Sequence, residues 1–302
     1  MKVGIVGAGA VGRACMFAMA LRGSAREIVL VNRDYERARG AVTDLQYGAI
    51  LAPAVTLRPG HYDDLRGAAI VMITAGANEK TGGATDRNDP AGRLRLLSAN
   101  ALVYKDIVPR IVAAAPDALL LVITDPPDPL ADVARRISGQ DRVLSSGTFL
   151  DSLRFRFHLG TKLGVDPKSV EAHVIGEHGT SQVYLWSTAR VAGTAFPLDG
   201  TIRNEVENDV RYANISIIEG TGASQLGIGV VAARIAEVIG RNEATVVPIG
   251  SYQESFGVTL SLPSRLGREG VTKVFMPTLA EDEARALDES AATLRRALQS
   301  ID

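Results

Sequence analysis

The chain has 302 residues, more than one hydrophobic core usually organises, so two domains of about 150 residues are expected and a single small module is excluded. With 33 Lys plus Arg against 34 Asp plus Glu, a formal net charge of −1 leaves no field for a nucleic-acid partner, and 46% hydrophobic residues make an ordinary globule. A lone cysteine, Cys15, excludes an internal disulfide and a four-thiolate metal site, and no run reaches the roughly 18 apolar residues of a membrane helix, so a cytoplasmic protein without membrane contact is expected.

In chain order, Lys2 to Val6 predicts a strand, Val11 to Arg22 a helix and Glu27 to Val31 a second strand. Ala69 to Thr74, Leu119 to Thr124 and Val143 to Ser145 predict further strands. Asn100 to Ala115 predicts a helix that Pro109 should kink or end. Apolar runs alternating with helical segments are the pattern of parallel strands joined by crossover helices. The fold class is therefore α/β, a doubly wound parallel sheet of the Rossmann type over residues 1–145. Gly82 to Gly92, rich in Gly, Asp, Asn and Pro, predicts a loop.

From residue 146 the texture changes. Asp151 to Leu163 predicts a helix, Val170 to Ile175 and Val183 to Val191 are apolar runs of strand type, and Glu205 to Ile239 is mostly helical. A strand pair around Ala244 to Gly250 and Gly257 to Pro263 precedes a charged helix from Glu281 to Leu298. Residues 146–302 are accordingly expected to form a C-terminal α+β catalytic domain.

Thirty glycines make about a tenth of the chain, and three of them carry chemistry. Gly7-Ala8-Gly9-Ala10-Val11-Gly12 follows a strand and opens a helix, the context in which G-x-G-x-x-G binds a dinucleotide. Gly7 permits the tight turn, Gly9 lets the pyrophosphate approach, and Gly12 lets helix and strand pack closely. The helix N-terminus supplies N–H groups and partial positive charge. Twenty residues on, where NAD binders place an acid for the ribose hydroxyls, stand Asn32 and Arg33. A neutral amide beside a cation leans towards a 2′-phosphate, so NAD(P) is the expected cofactor with NADP favoured, although Asn32 can still bond a ribose and Arg33 can be a solvated turn residue.

Of four histidines, His178 lies between glycines in Gly176-Glu177-His178-Gly179, a poor place to fill a core and a good one for acid/base chemistry. Asp151 and Arg154 share a helix face three residues apart, as a salt bridge or as part of a site. With Thr148-Phe149-Leu150-Asp151-Ser152-Leu153-Arg154-Phe155-Arg156, Arg93-Leu94 after a loop, Gly222-Ala223-Ser224 to Ile228 and Ser261-Leu262-Pro263, the chain resembles the L-lactate and malate dehydrogenase family over nearly its whole length, closer to the lactate branch.

The resemblance implies an NAD(P)-dependent L-2-hydroxy acid dehydrogenase that forms a homodimer or homotetramer and uses no metal. His178 matches the acid/base at the substrate C2 oxygen, Asp151 the carboxylate that orients it, Arg154 the grip on the substrate carboxylate and Arg93 the polarising residue of a closing loop. Ser224 falls where the family often has a substrate-facing Thr, and Ile228 where an aliphatic side chain packs on the nicotinamide. Val11, Ala75, Gly76 and Thr124 complete the implied cofactor contacts.

Three departures bear on the substrate. Thr124-Asp125-Pro126 stands where the family has Asn-Pro, which sets a carboxylate against the substrate unless Asp125 is protonated, turns away or meets a donor on the substrate. Glu79 falls near the position that separates lactate from malate enzymes, before an insertion of about eight residues, and argues against a dicarboxylate; a solvated loop residue is the alternative. Arg156 matches the arginine that binds fructose 1,6-bisphosphate in activated lactate dehydrogenases, but the partner histidine position holds Glu171, so no activation is expected. Two other readings stand beside the dehydrogenase: a malate-type activity, and a catalytically silent dinucleotide-binding sensor. A family 4 glycosidase, which shares a related architecture, is disfavoured because Cys15 lies in the glycine-loop helix.

Overall fold

Six strands run parallel in the order β3-β2-β1-β4-β5-β6: β1 (Lys2–Val6), β2 (Glu27–Val31), β3 (Thr56–Gly60), β4 (Ile70–Ile73), β5 (Leu119–Val122) and β6 (Val143–Ser145). This computed structural model describes residues 1–78, 82, 84–89, 91–195 and 200–301. Strands covered on both faces need continuous apolar runs, and Ile70 to Ile73 and Leu119 to Val122 are wholly buried. Alternate residues feed opposite cores. Val6, Val71, Ile73 and Leu120 face α3 (Leu97–Ala114), α4 (Pro127–Ser138) and α9 (Glu281–Gln299). Val3, Ile5, Met72 and Leu121 face α1 (Ala10–Arg22) and α8 (Leu226–Arg241). The strand order reverses between β1 and β4, which opens a crevice at the carboxyl ends of the strands, where open α/β sheets bind ligands.

Helix α3 continues through Pro109 rather than ending there. Pro109 lies on the exposed side, as does Lys105, whose carbonyl loses its helical partner and is left to water. Three first-half elements went unpredicted, each with a physical reason. Helix α2 (Tyr35–Ala49) buries only Ala38 and Val42, too little for a clear apolar stripe, and is started by Asp34, whose carboxylate accepts the N–H groups of Glu36 and Arg37. Strand β3 contains Pro59, which a strand tolerates because it is the sheet edge. Helix α4 opens Pro-Asp-Pro, loop-like in sequence, but first-turn prolines give up no helical hydrogen bond.

Past residue 145 the chain returns to the same sheet. β11 (Thr245–Gln253), β12 (Val258–Gly267) and the unpredicted β13 (Gly270–Val274) are antiparallel, and β11 joins β6 through Gly250 opposite Ser145. The strand pair expected inside the second half therefore extends the first-half sheet to nine strands. Gly250 allows the junction, since a Cβ there would lie 1.9 Å from the Ser145 hydroxyl oxygen.

The two apolar runs expected as strands each split in two. β7 (Val170–Glu171) pairs with β10 (Arg190–Val191), and β8 (Val174–Ile175) with β9 (Val183–Tyr184). They pack with α5 (Phe149–Leu163) and α6 (Gly200–Arg211) around Phe155, Leu159, Val174, Val206 and Val210. α7 (Ala213–Thr221) leads into α8, which lies on α1 so closely that a Cβ on Gly229 would come within 2.8 Å of the Ala14 backbone. Among the described residues no single helix is long and apolar enough to cross a membrane.

Candidate active site

The crevice holds a cavity of about 540 Å³ that runs from the glycine loop to His178. Gly7 has φ of +118°, and a Cβ there would lie 2.7 Å from the Ala75 nitrogen. At Gly12 a Cβ would lie 1.9 Å from the Gly7 carbonyl oxygen, so the loop closes on α1 only without a side chain. At Gly9 the reverse holds: nothing lies within 4 Å, and the space above the helix N-terminus is open to a ligand. Gly9, Val11, Gly76, Thr124 and Ile228 all border the cavity. A dinucleotide pyrophosphate fits this cradle, with free N–H groups at the start of α1 and room over Gly9.

Behind the loop, Asn32 accepts the Ala8 N–H at 3.0 Å and donates to the Asp34 carbonyl at 3.0 Å. Its amide thus braces the glycine turn. Arg33 is exposed and does not border the cavity, whereas Arg13 and Arg37 do. Ala75 lies between the cavity residues Thr74 and Gly76, and its carbonyl accepts the Thr124 hydroxyl at 2.9 Å.

At the other end the His178 ring is fixed by Asp151 on Nδ1. Asp151 comes from the first turn of α5 and also receives Arg154 Nη1 at 3.1 Å. Burial alone would raise the Asp151 carboxyl, but the adjacent His178, through charge and hydrogen bond, and then Arg154 and Arg93, hold it well below the usual carboxylate range. Asp151 is therefore an anion at neutral pH, fitted to orient the imidazole and to stabilise its protonated form. Burial lowers the Arg154 guanidinium, partly offset by Asp151.

Asp125 faces the other ring nitrogen. Its Oδ1 lies 3.7 Å from His178 Nε2 and its Oδ2 lies 3.5 Å from Arg93 Nε, so the carboxylate does not turn away from the site. Arg93 also donates to the His178 carbonyl at 3.4 Å. His178, Asp151, Arg154, Arg93 and Asp125 are thus gathered at one end of the crevice, with Asp151 behind the histidine and the others bordering the cavity, which Ser224 also lines. Glu79 lies outside the described residues.

Two residues that hold the site, and one ion pair of the inserted loop, were missed from sequence. Asp128, in the proline-rich start of α4, is fully buried and accepts the His178 backbone N–H at 2.6 Å and the Ser145 hydroxyl. Burial is the main cause of its carboxyl being pushed up to about 7; the bonds from His178 and Ser145 offset part of that, and Glu177 and Asp132 add to it. Asn100 ties the segment after β4 to the Asp125 strand end, accepting the Ala77 N–H at 2.7 Å and donating to the Asp125 carbonyl at 2.6 Å. Arg87 in the inserted loop reaches Glu219 of α7 at 2.6 and 2.9 Å. A buried Asp inside an apolar helix face was a usable signal; the other two link residues more than 20 apart and leave no local trace.

A doubly wound sheet with a dinucleotide cradle at its switch point and a carboxylate-oriented histidine at the far end of the same crevice defines a nicotinamide-dependent dehydrogenase. The family model for the lactate/malate dehydrogenase NAD binding domain matches residues 1–144, and that for the lactate/malate dehydrogenase alpha/beta C-terminal domain matches residues 148–302. The chain belongs to the lactate/malate dehydrogenase family, in its L-lactate dehydrogenase branch. It is 41% identical to the L-lactate dehydrogenase of Chloroherpeton thalassium, covering 100% of both chains, and 41% identical to that of Thermus aquaticus, covering 100% of this chain and 99% of that one. A lactate dehydrogenase enzyme from a Medee basin deep-sea metagenome library has the same fold, with a TM-score of 0.91 at 32% identity over 99% of this chain and 98% of that one.

Proposed function

We infer that the chain is an NAD(P)-dependent L-2-hydroxy acid dehydrogenase that interconverts a 2-hydroxy acid and its 2-oxo acid. Residues 1–145 carry the dinucleotide and residues 146–302 bring most of the substrate groups. The observation that carries the reading is His178, braced by Asp151 and sharing one cavity with Gly9 and Ile228.

Arg154 grips the substrate carboxylate as a planar fork. His178 Nε2 gives a proton to the C2 oxygen during reduction and takes it back during oxidation, with Asp151 stabilising the imidazolium. Arg93 polarises the C2 carbonyl, and Ser224 lies beside the substrate. Gly9, Val11 and Ile228 would hold the coenzyme along the cavity, and its nicotinamide would supply or accept the hydride at C2. Following NADH and NADPH absorbance against pyruvate, oxaloacetate and branched, hydroxylated and basic 2-oxo acids tests this; no oxidation with any of them would overturn it.

NADP(H) is the preferred coenzyme in this reading. Asn32 brings no acid to the ribose, and Arg37 and Arg13 at the cavity wall, more than the exposed Arg33, suit a 2′-phosphate. The protein works as a homodimer or homotetramer in the cytoplasm. Exposed apolar side chains support self-association: Phe17 and Leu21 on α1, Phe157 on α5, and Leu226 and Val230 on α8. The single buried Cys15 suits a reducing compartment.

A further inference from the structure

Asp125 lies beside the place that the reacting atom on C2 takes in the proposed reaction. His178 Nε2 and Arg93, the two groups that face that atom in the proposed reaction, lie 3.7 and 3.5 Å from the two Asp125 oxygens. Arg154 also feels the Asp125 charge. Cations around a carboxylate favour its ionised form. An ionised carboxylate is an acceptor only, so it cannot donate to a carbonyl oxygen. It also opposes the negative charge that grows on that oxygen as hydride adds, and it draws off part of the Arg93 charge that would stabilise it. For a C2 carbonyl the group is wrong in both respects.

A protonated nitrogen on C2 reverses each objection. It donates a hydrogen bond to Asp125, and the carboxylate keeps it protonated, which makes C2 electrophilic. We propose that Asp125 fits the site for a 2-imino acid, reduced to the corresponding L-2-amino acid, and that cyclic 2-imino acids are better substrates than 2-oxo acids. In this step the dihydronicotinamide passes a hydride to C2, the C2–H bond forms, and the pair of the C=N bond moves to nitrogen, whose positive charge is lost. The neutral amine then takes a proton from His178 or water and stays paired with Asp125 as an ammonium. The coenzyme is oxidised and the imine reduced, with no further reactant. The carboxylate grip by Arg154 is unchanged, so this rests on the dehydrogenase reading above and alters only the atom attached to C2.

The test compares Δ1-piperideine-2-carboxylate with pyruvate and 2-oxobutyrate, for wild type and Asp125→Asn, by coenzyme absorbance. A binding arm measures Kd for L-pipecolate and for oxamate, which carries a C2 carbonyl, by titration calorimetry of the coenzyme-loaded protein. The expected wild type has the higher kcat/KM for the imino acid, and Asp125→Asn shifts the imino-to-oxo ratio at least 100-fold towards the oxo acids, weakening L-pipecolate and tightening oxamate. If wild type reduces oxo acids but not the imino acid, or Asp125→Asn leaves the ratio and both Kd values unchanged, the assignment of Asp125 is wrong while the dehydrogenase reading stands. If neither class is reduced by wild type, the dehydrogenase reading itself falls and takes this one with it.

Discussion

Replacing Gly12 or Gly9 by alanine adds the same methyl group three residues apart in one loop, with opposite expected effects. At Gly12 the new carbon would stand 1.9 Å from the Gly7 carbonyl oxygen and 2.8 Å from the Thr74 hydroxyl oxygen. Carbon and oxygen settle at about 3.3 Å or more, so loop and helix must part by over 1 Å. Helix α1 has no room to retreat, because Gly229 of α8 lies against Ala14 behind it. Overpacking costs about 1–3 kcal/mol, and a backbone obstacle puts this case near 3, equivalent to a Tm lower by roughly 6–12 °C. At Gly9 nothing lies within 4 Å and φ is −73°, which alanine adopts freely, so stability should stay within about 0.5 kcal/mol of wild type. That carbon would nevertheless occupy the space kept for the pyrophosphate. Kd for NADPH and NADH should rise at least tenfold, a loss of about 1.4 kcal/mol. Thermal denaturation without ligand and fluorescence titration of both coenzymes separate the effects. Wild-type coenzyme affinity in Gly9→Ala would refute the placement of the pyrophosphate, and an unchanged Tm in Gly12→Ala would refute the packing argument.

His178→Ala and Arg154→Leu should each cost at least 100-fold in kcat/KM for the preferred substrate; near-wild-type turnover would remove both from the chemistry. Arg37→Ala should lower kcat/KM for NADPH at least tenfold while leaving NADH within threefold, and an equal fall for both would exclude a 2′-phosphate contact. Asp128, raised from 3.8 to about 7 in the folded protein, binds its proton more tightly than in the unfolded chain. Its contribution to stability is therefore full below pH 3.8 and lost as pH rises to 7, with no further change above. Urea titrations at several pH values should show Asp128→Asn flattening that slope, and an unaltered slope would locate the titration elsewhere. Fructose 1,6-bisphosphate should leave the substrate saturation curve unmoved because Glu171 replaces the histidine that the family pattern pairs with Arg156, and a clear leftward shift would overturn this.

What the sequence disclosed follows the range of the interactions involved. The parallel core strands were readable because burial on both faces demands unbroken apolar runs, as at Leu119 to Val122. The glycine loop and the Asp151 to Arg154 turn were readable because their chemistry is local. Helix α2 escaped because Ala38 and Val42 are its only fully buried side chains, and β3 and α4 because prolines at an edge and in a first turn look like loop. The single register contact between Gly250 and Ser145, which makes one sheet of two sequence halves, joins residues about a hundred apart that carry no mutual signal. Arg33 was legible from its place after β2, yet it is exposed and does not border the cavity, whereas one turn of α2 carries Arg37 to the cavity wall.

The two acids that hold His178 show why position in the chain could not settle their roles. Asp151 and Asp128 are both fully buried, and for each burial is the largest influence on the carboxyl. Asp151 meets the imidazole, Arg154 and Arg93, and their charges overcome the cost of burial. Asp128 meets only neutral donors, the His178 N–H and the Ser145 hydroxyl, with Glu177 and Asp132 as anionic neighbours, and burial wins. Equal burial thus gives opposite outcomes because the cations lie on the substrate side of the histidine alone. The charged partner keeps the ring ready to carry a proton. The other acid, whose carboxyl burial pushes up to about 7, fixes the backbone through the His178 N–H. Asp125 adds its charge on the cavity side instead, between His178 Nε2 and Arg93, where a bound molecule can answer it.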